Sequence, residues 1–197
     1  ELGEYRQFVP AFMQQIIAEI TQRARKSPDI NQRSGVSVRA SVANYEAMLA
    51  NALRRAIQLG ETDVVPRISD LPFIMPSLQG KIEFEAMEEG REEKIMQKLF
   101  DEAVRGVFDR FLDISTLESL ALSFAEGMHI TTGSTLSSVD YEDIIRRIDG
   151  LEAVVVKLTD FDRPAIRASA TEFILEGLHL HQLLNKQSSN GRTTYQG

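Results

Sequence analysis

Residues 31–61 read NQRSGVSVRASVANYEAMLANALRRAIQLGE, and this stretch decides the class of fold. Its apolar residues recur at the three- and four-residue spacing of an amphipathic helix. They are Val38, Val42, Tyr45, Leu49, Leu53 and Ile57. A Ser-Gly pair precedes them and indicates a turn, and Gly60 is typical of the position just past a helix end. We therefore expect one long helix that buries this apolar face.

Arg39 lies in the first turn of this predicted helix. The positive end of the helix dipole disfavours a cation there by about 0.3–1 kcal/mol. This placement favours an anionic partner for Arg39, and Arg33, near the turn, carries the same interpretation. A solvated or internally paired arginine is the alternative for both. The small Ala40 and Ala43 leave room for a ligand, whereas Arg54-Arg55 is interpreted as compensating the dipole near the helix end.

Helical periodicity extends over most of the remaining sequence and predicts a mainly α fold. Residues 1–82 are predicted to form one helical subdomain and residues 83–186 a separately packed helical bundle, with a hinge near Gly80–Glu85. Residues 187–197 are predicted to form a flexible polar tail. At most a short strand is expected near 81–85. The first predicted helix has an apolar stripe formed by Phe8, Phe12, Ile16 and Ile20. The first predicted helix of the second half has a wider stripe, formed by Ile95, Leu99, Ala103, Val107 and Phe111 with Met96, Phe100, Val104 and Phe108 alongside.

Composition excludes several functional classes. The chain of 197 residues has a net charge of −7, which disfavours binding to nucleic acid or to an anionic membrane. It contains no cysteine, so disulfides and thiolate metal sites are ruled out. Its apolar runs are too short to span a bilayer, so no membrane insertion is expected. These features predict a cytoplasmic protein.

Sequence motifs for catalysis by the chain alone are absent. Gly80-Lys81 lacks the upstream glycine and the following Ser or Thr of a phosphate-binding loop. Neither G-x-S-x-G nor H-E-x-x-H occurs. His179 and His181 fall on nearly opposite sides of a predicted helix, so we interpret them, like His129, as surface or interface residues.

The segment Glu83–Glu93 holds six glutamates. Oxygen ligands of Ca²⁺ or Mg²⁺ must converge on one point, and these acids spread over a strand end and a helix start. Acidic residues in a first helical turn suit the helix dipole. We therefore predict no metal site, and a small enzyme built on this cluster is the least favoured functional class.

Residues 31–56, NQRSGVSVRASVANYEAMLANALRRA, resemble the C-terminal lid of the MoxR and magnesium-chelatase-I-like AAA+ ATPases. The family motif G-x-S-x-R matches Gly35-Val36-Ser37-Val38-Arg39. Residues 64–85, VVPRISDLPFIMPSLQGKIEFE, resemble the end of such a lid. The segments FDRFLD, EGLHLHQLLNK and GRTTYQG resemble the C-terminal extension of one subgroup, labelled as magnesium chelatases. The likeness thus covers most of the chain.

The resemblance implies that Arg39 is the sensor-2 arginine, which reaches the γ-phosphate of ATP held by the ATPase core. Arg33 is a second candidate for nucleotide contact. Walker A, Walker B, sensor 1 and the arginine finger are missing, so we expect the C-terminal part of a larger ATPase and no ATP hydrolysis by this chain alone. ATP and Mg²⁺ then belong to the full-length parent.

The implied partners are the upstream AAA+ core of the same protein, identical subunits in a ring, and a client protein or metal-insertion complex that the sequence does not identify. In this reading residues 1–82 are the lid and residues 83–186 an interaction or regulatory module. The alternative is a stand-alone helical adaptor without ATPase activity. The coding sequence upstream of Glu1 discriminates the two.

Overall fold

The structure is a computed structural model that describes residues 4–31, 36–79, 81–84, 90–125, 127–159 and 161–197. The fold is mainly α, as predicted, with short strands in two small sheets. Within the described residues, no helix is long and apolar enough to cross a membrane. Helices α1 to α8 span Ala11–Lys26, Val38–Leu59, Met75–Gln79, Arg91–Phe111, Glu118–Leu122, Asp140–Arg147, Leu151–Leu158 and Pro164–Leu180, and 3₁₀ helices cover Ile68–Ile74 and Ile114–Thr116.

Helices α1 and α4 pack against each other through the apolar stripes that the sequence predicts. Phe12, Ile16 and Ile20 of α1 are fully buried at their four-residue spacing. The facing side of α4 is wide, as predicted, and is built from Ile95, Met96, Leu99, Phe100, Ala103, Val104, Val107 and Phe108. The predicted bundle interior is therefore confirmed for these two helices.

Helix α8 completes this core from the far end of the chain. Phe173 stacks on Phe12 with ring centroids 4.5 Å apart and an angle of 11° between the planes, and it lies 5.6 Å from Phe108. One continuous cluster of buried side chains runs from Phe12 to Tyr195. The predicted division into separately packed units, 1–82 and 83–186, is wrong. The apolar faces of α1 and α4 cover each other, so the two halves share the main core.

A three-stranded antiparallel sheet closes the C-terminal end of the chain. Strands β3 (His129–Gly133), β4 (Asn185–Ser189) and β5 (Arg192–Gln196) have the order β3-β5-β4. The flexible tail predicted for 187–197 is therefore wrong, because this segment forms most of a β4–β5 hairpin, and its second strand, β5, pairs with β3. Tyr195 anchors it with a side chain only 2% exposed.

The remaining strands are very short. Strand β1 (Arg6–Gln7) pairs in parallel with β2 (Asp63–Val64). The strand expected near 81–85 is reduced to a single antiparallel bridge between Ile30 and Phe84. Gly80 and Glu85, the ends of the predicted hinge, lie outside the described residues.

Candidate functional site

Arg39 lies in the first turn of α2, at the surface of the molecule. The helix begins after Ser37, whose backbone is extended at φ −76° and ψ 162° and whose side chain makes no capping hydrogen bond. Arg39 is exposed and forms neither a hydrogen bond nor an ion pair with any residue that the structure describes. Its charge is therefore available to an external anion. The dipole of α2 disfavours a cation at this end of the helix unless an anion lies nearby.

The backbone just before Arg39 is fixed to the core. Nε of Arg25 donates a hydrogen bond to the carbonyl oxygen of Val36 at 2.7 Å, and Val36 is only 6% exposed. Ala40 is fully buried in the main core, so the expectation that it leaves room for a ligand is wrong; Ala43 is half-buried. Arg33, the other predicted nucleotide contact, lies outside the described residues.

An apolar stripe runs along the solvent side of α2, and we call it the α2 stripe. Its members are Val38, Val42, Leu53 and Ile57, which are 69%, 51%, 37% and 51% exposed. The sequence predicts burial of this face, and that prediction is wrong for these four residues. Arg39 lies three residues before Val42, so the two are neighbours on the helix surface. The four exposed side chains form two pairs four residues apart, Val38–Val42 and Leu53–Ile57, on the same side of the helix.

The buried side of α2 carries small and polar residues instead. Alanines let the helix approach its neighbours closely, and most of the polar side chains find partners after the helix end. Asn51, for example, donates Nδ2 to Oδ1 of Asp70 at 2.6 Å. The amide of Asn44 is fully buried and makes no hydrogen bond to the described residues. The buried set is Ala40, Asn44, Met48, Asn51, Ala52, Arg55 and Ala56.

Arg55 and Asp70 form an ion pair in the interior. Their side chains are 1% and 0% exposed, and Nη2 of Arg55 lies 2.9 Å from Oδ2 of Asp70 and donates to the carbonyl oxygen of Val65 at 2.6 Å. Burial lowers the pKa of Arg55, but the carboxylate of Asp70 raises it, and the net pKa lies above its ordinary value. Dipole compensation is therefore the wrong interpretation of Arg55. Arg54 is exposed, with its guanidinium 4.9 Å from the centre of the Phe73 ring.

Arg67 ties the segment after α2 to the C-terminal half of the chain. Its side chain is fully buried, and it donates Nη1 to the carbonyl oxygen of Leu136 at 2.9 Å and Nη2 to Oγ of Ser138 at 2.8 Å. Its guanidinium lies 4.7 Å from the centre of the Tyr141 ring. Glu61 accepts a further hydrogen bond from the backbone of Ser138. These contacts join the segment after α2 to the residues that precede and begin α6.

Glu172 of α8 also contacts residues of this polar network, which links the segment after α2 to α6. It accepts a hydrogen bond from the backbone of Ser69 at 2.7 Å and another from the hydroxyl of Tyr141. Burial and the charge of Glu172 raise the pKa of Tyr141 well above its ordinary value, so the hydroxyl remains a donor. The only signal of this network in the sequence is that Glu172 and Glu176 flank the apolar run Phe173–Leu175.

The histidines at the end of α8 serve structural contacts. Nδ1 of His181 lies 2.7 Å from the carbonyl oxygen of Gly177, and its Nε2 lies 2.8 Å from Oδ1 of Asp109. Nδ1 of His179 lies 2.9 Å from the carbonyl oxygen of Leu184. These hydrogen bonds hold the turn that leads from α8 into β4.

The acidic segment divides between described and undescribed residues. Glu92 and Glu93 lie in the first turn of α4, where the helix dipole favours them. Glu85, Glu88 and Glu89 lie outside the described residues. In the part of the chain that the structure describes, no three histidine, aspartate or glutamate side chains are grouped so that they could hold a metal ion.

No protein-family model, no curated protein and no solved structure matches the chain.

Proposed function

We propose that the chain is the lid and interaction module of an AAA+ ATPase that couples hydrolysis of Mg-ATP to remodelling of a partner protein or metal-insertion complex. The observation that carries the proposal is Arg39 in the first turn of α2, an exposed cation that pairs with none of the residues that the structure describes. The resemblance of residues 31–56 to AAA+ lids supports the same role. In this proposal the upstream core of the full-length protein binds ATP and Mg²⁺, and the parent acts as a cytoplasmic ring of identical subunits.

The chemistry assigned to Arg39 is electrostatic. Phosphoryl transfer is accelerated mainly by positioning and by cations placed at the phosphate oxygens. A guanidinium presents a planar fork of N–H donors that matches two of those oxygens, whereas a lysine offers a point charge. Since no described carboxylate competes for Arg39, its charge and donors are available to a nucleotide bound on the core.

The α2 stripe supports the lid interpretation. A lid must cover another surface, and the stripe is an uncovered apolar face adjacent to Arg39. Contact between the stripe and the core would bring Arg39 toward the nucleotide. The buried pair Arg55–Asp70 and the contacts of Arg67 then transmit the movement of α2 to the C-terminal half.

The experiment is steady-state phosphate release by the full-length protein. Arg39→Ala is expected to lower turnover by more than about ten-fold, and Arg39→Lys to restore only part of it. Arg105→Ala is the matched control, because Arg105 of α4 is likewise exposed and unpaired among the described residues. Thermal melts check that each variant is folded. Unchanged turnover in Arg39→Ala refutes the proposed role of this residue.

The second candidate function, a stand-alone helical adaptor, rests on the α2 stripe alone. An apolar helix face can bind a partner without any nucleotide. In that case Val42→Glu should abolish partner binding while Arg39→Ala changes it little. A coding sequence upstream of Glu1 without a phosphate-binding loop favours this alternative, and one with such a loop favours the lid.

A further inference from the structure

A cleft of about 520 Å³ lies on another part of the molecule from the α2 stripe. Its walls are the 3₁₀ helix Ile68–Ile74, α4, α8 and the β4–β5 hairpin, and we call it the hairpin cleft. The volume falls in the range of small-molecule sites, about 300–1,000 Å³. Nothing in the proposed lid function uses it.

Two buried carboxylates line the hairpin cleft. Glu172 and Glu176 of α8 are only 2% and 3% exposed. Glu176 accepts a hydrogen bond from the hydroxyl of Tyr195 at 2.7 Å, and Nζ of Lys186 lies 2.7 Å from its other oxygen. The hydrogen bonds of Glu172 come from Ser69 and Tyr141, which are neutral groups. Arg55 interacts electrostatically with Glu172, but none of the described hydrogen bonds to this carboxylate comes from a cation, so a positive ligand in the cleft would compensate its charge further.

Asp101 of α4 adds a third acid to the lining. One of its oxygens accepts a hydrogen bond from Nε2 of Gln97 at 2.7 Å, and the other makes none with the residues that the structure describes. Burial raises the pKa of Asp101 above its ordinary value, and a bound cation would lower it again. Apolar side chains also line the cleft, namely Leu71, Phe100 and Val104.

The charges of the lining leave an excess of one negative charge. Against the three acids stand Lys186 and Arg192, and Arg192 is exposed, with Nε donating to Oγ1 of Thr135. The side chain of Lys186 is an example of a group that fits this lining, because its ammonium group, carried on an aliphatic stem, forms a hydrogen-bonded ion pair with Glu176.

We propose that the hairpin cleft binds a second ammonium or guanidinium group carried on an aliphatic stem. Asp101 and Glu172 attract the charged head, and Leu71, Phe100 and Val104 cover the stem. The source of this group is either a free diamine or the side chain of a lysine or arginine in a peptide, since both present the same chemistry.

Calorimetric titration of the full chain tests the proposal with cadaverine, with a tripeptide that carries a central lysine between blocked termini, and with glutarate as the anionic control. Both cations should bind and glutarate should not. Peptide affinity at least ten-fold above that of cadaverine identifies a protein segment as the ligand, and equal affinities identify a free amine. Failure of both cations to bind at several millimolar overturns the proposal.

Variants assign the binding to this cleft. Asp101→Asn should weaken cadaverine binding about ten-fold, the effect of losing one charge-assisted hydrogen bond. Lys186→Gln should strengthen it several-fold, because it removes the competing internal cation. Asp143→Asn is the matched control, an exposed aspartate on α6 whose loss should leave binding unchanged.

Asp101 is only half-buried, so its variant tests binding without threatening the fold, and thermal melts verify this. Equal loss of binding in Asp101→Asn and Asp143→Asn, or weaker binding in Lys186→Gln, overturns the assignment. None of these variants touches α2, so the outcome is independent of the lid proposal.

Discussion

Removing the charge of Asp70 should destabilise the entire molecule. The Asp70 carboxylate is 0% exposed and accepts hydrogen bonds from Asn51 at 2.6 Å, from Arg55 at 2.9 Å and from the backbone of Arg67 at 2.8 Å. Asp70→Asn keeps the shape and removes the directly hydrogen-bonded counter-charge of Arg55, whose remaining partner, Glu61, lies 3.8 Å away. Breaking a buried pair in this way costs about 3–5 kcal/mol.

The free energy of unfolding by urea measures this cost directly. For a chain of this size each kcal/mol lowers the melting temperature by about 2–4 °C, so the melt should fall by about 6–20 °C. Asp143→Asn, in the exposed pair with Arg146, should change stability by less than about 0.5 kcal/mol.

A double-mutant cycle isolates the pair itself. Arg55→Met alone should also be costly, because it leaves Asp70 unpaired. The double variant Arg55→Met/Asp70→Asn should be more stable than the sum of the two single effects by about 2–3 kcal/mol. Strict additivity, or a cost of Asp70→Asn below about 1 kcal/mol, would refute the interpretation of this pair as a coupled buried unit.

Three further predictions follow from the fold and the sequence. Calorimetry should show that the chain alone binds ATP no tighter than about millimolar, since the phosphate-cradling loop is missing, and micromolar binding would contradict this. Gly177→Ala should cost about 1–3 kcal/mol in urea unfolding, because the added Cβ would lie 1.9 Å from the Phe108 ring, and Phe108→Leu should relieve it. The hydrogen bond from Arg167 lowers the pKa of Glu152, so their contribution to stability is present above about pH 4.5 and is lost as the pH falls through the lowered pKa. Glu152→Gln should therefore flatten the loss of stability between pH 5 and pH 3 in acid melts, and an unchanged acid profile would contradict this role.

The elements that the sequence predicts best are those whose partners are equally amphipathic. The stripes of α1 and α4 follow helical spacing, and both are buried as expected except at one end, where Phe8 precedes α1 and Phe111 is half-buried. Periodicity does not say which helix covers which face, however. The prediction of two separate units failed at that step, since the partner of Phe12 is Phe173, far along the chain.

In helix α2, hydrophobicity alone does not decide which side is buried. Its buried side includes Asn51 and Arg55, which become acceptable inside only because Asp70 folds back to meet them. No periodic pattern in the sequence predicts that Asp70 pairs with these residues. The more apolar face, including Val42 and Leu53, is left at the surface.

The turn of the C-terminal hairpin has a local signal in the sequence. Asn190-Gly191 between two short polar segments is the dipeptide typical of a tight hairpin turn, and both residues adopt positive φ angles, 51° and 73°. The pairing of β5 with β3 joins residues 63 apart, such as Thr131 and Thr194, and such pairing is invisible to local patterns. The hairpin cleft, which depends on this sheet, was therefore not predictable from the sequence.

The most direct test of the lid proposal compares two nucleotides on the full-length protein. A sensor arginine that reaches the γ-phosphate contributes to binding of a non-hydrolysable ATP analogue and contributes nothing to binding of ADP. Arg39→Ala should therefore weaken binding of the analogue by about ten-fold, which is the loss expected for one charge-assisted contact, and should leave the affinity for ADP unchanged. The control variant Arg105→Ala should leave the affinities for both nucleotides unchanged. Equal affinities of wild type and Arg39→Ala for the analogue would contradict the account.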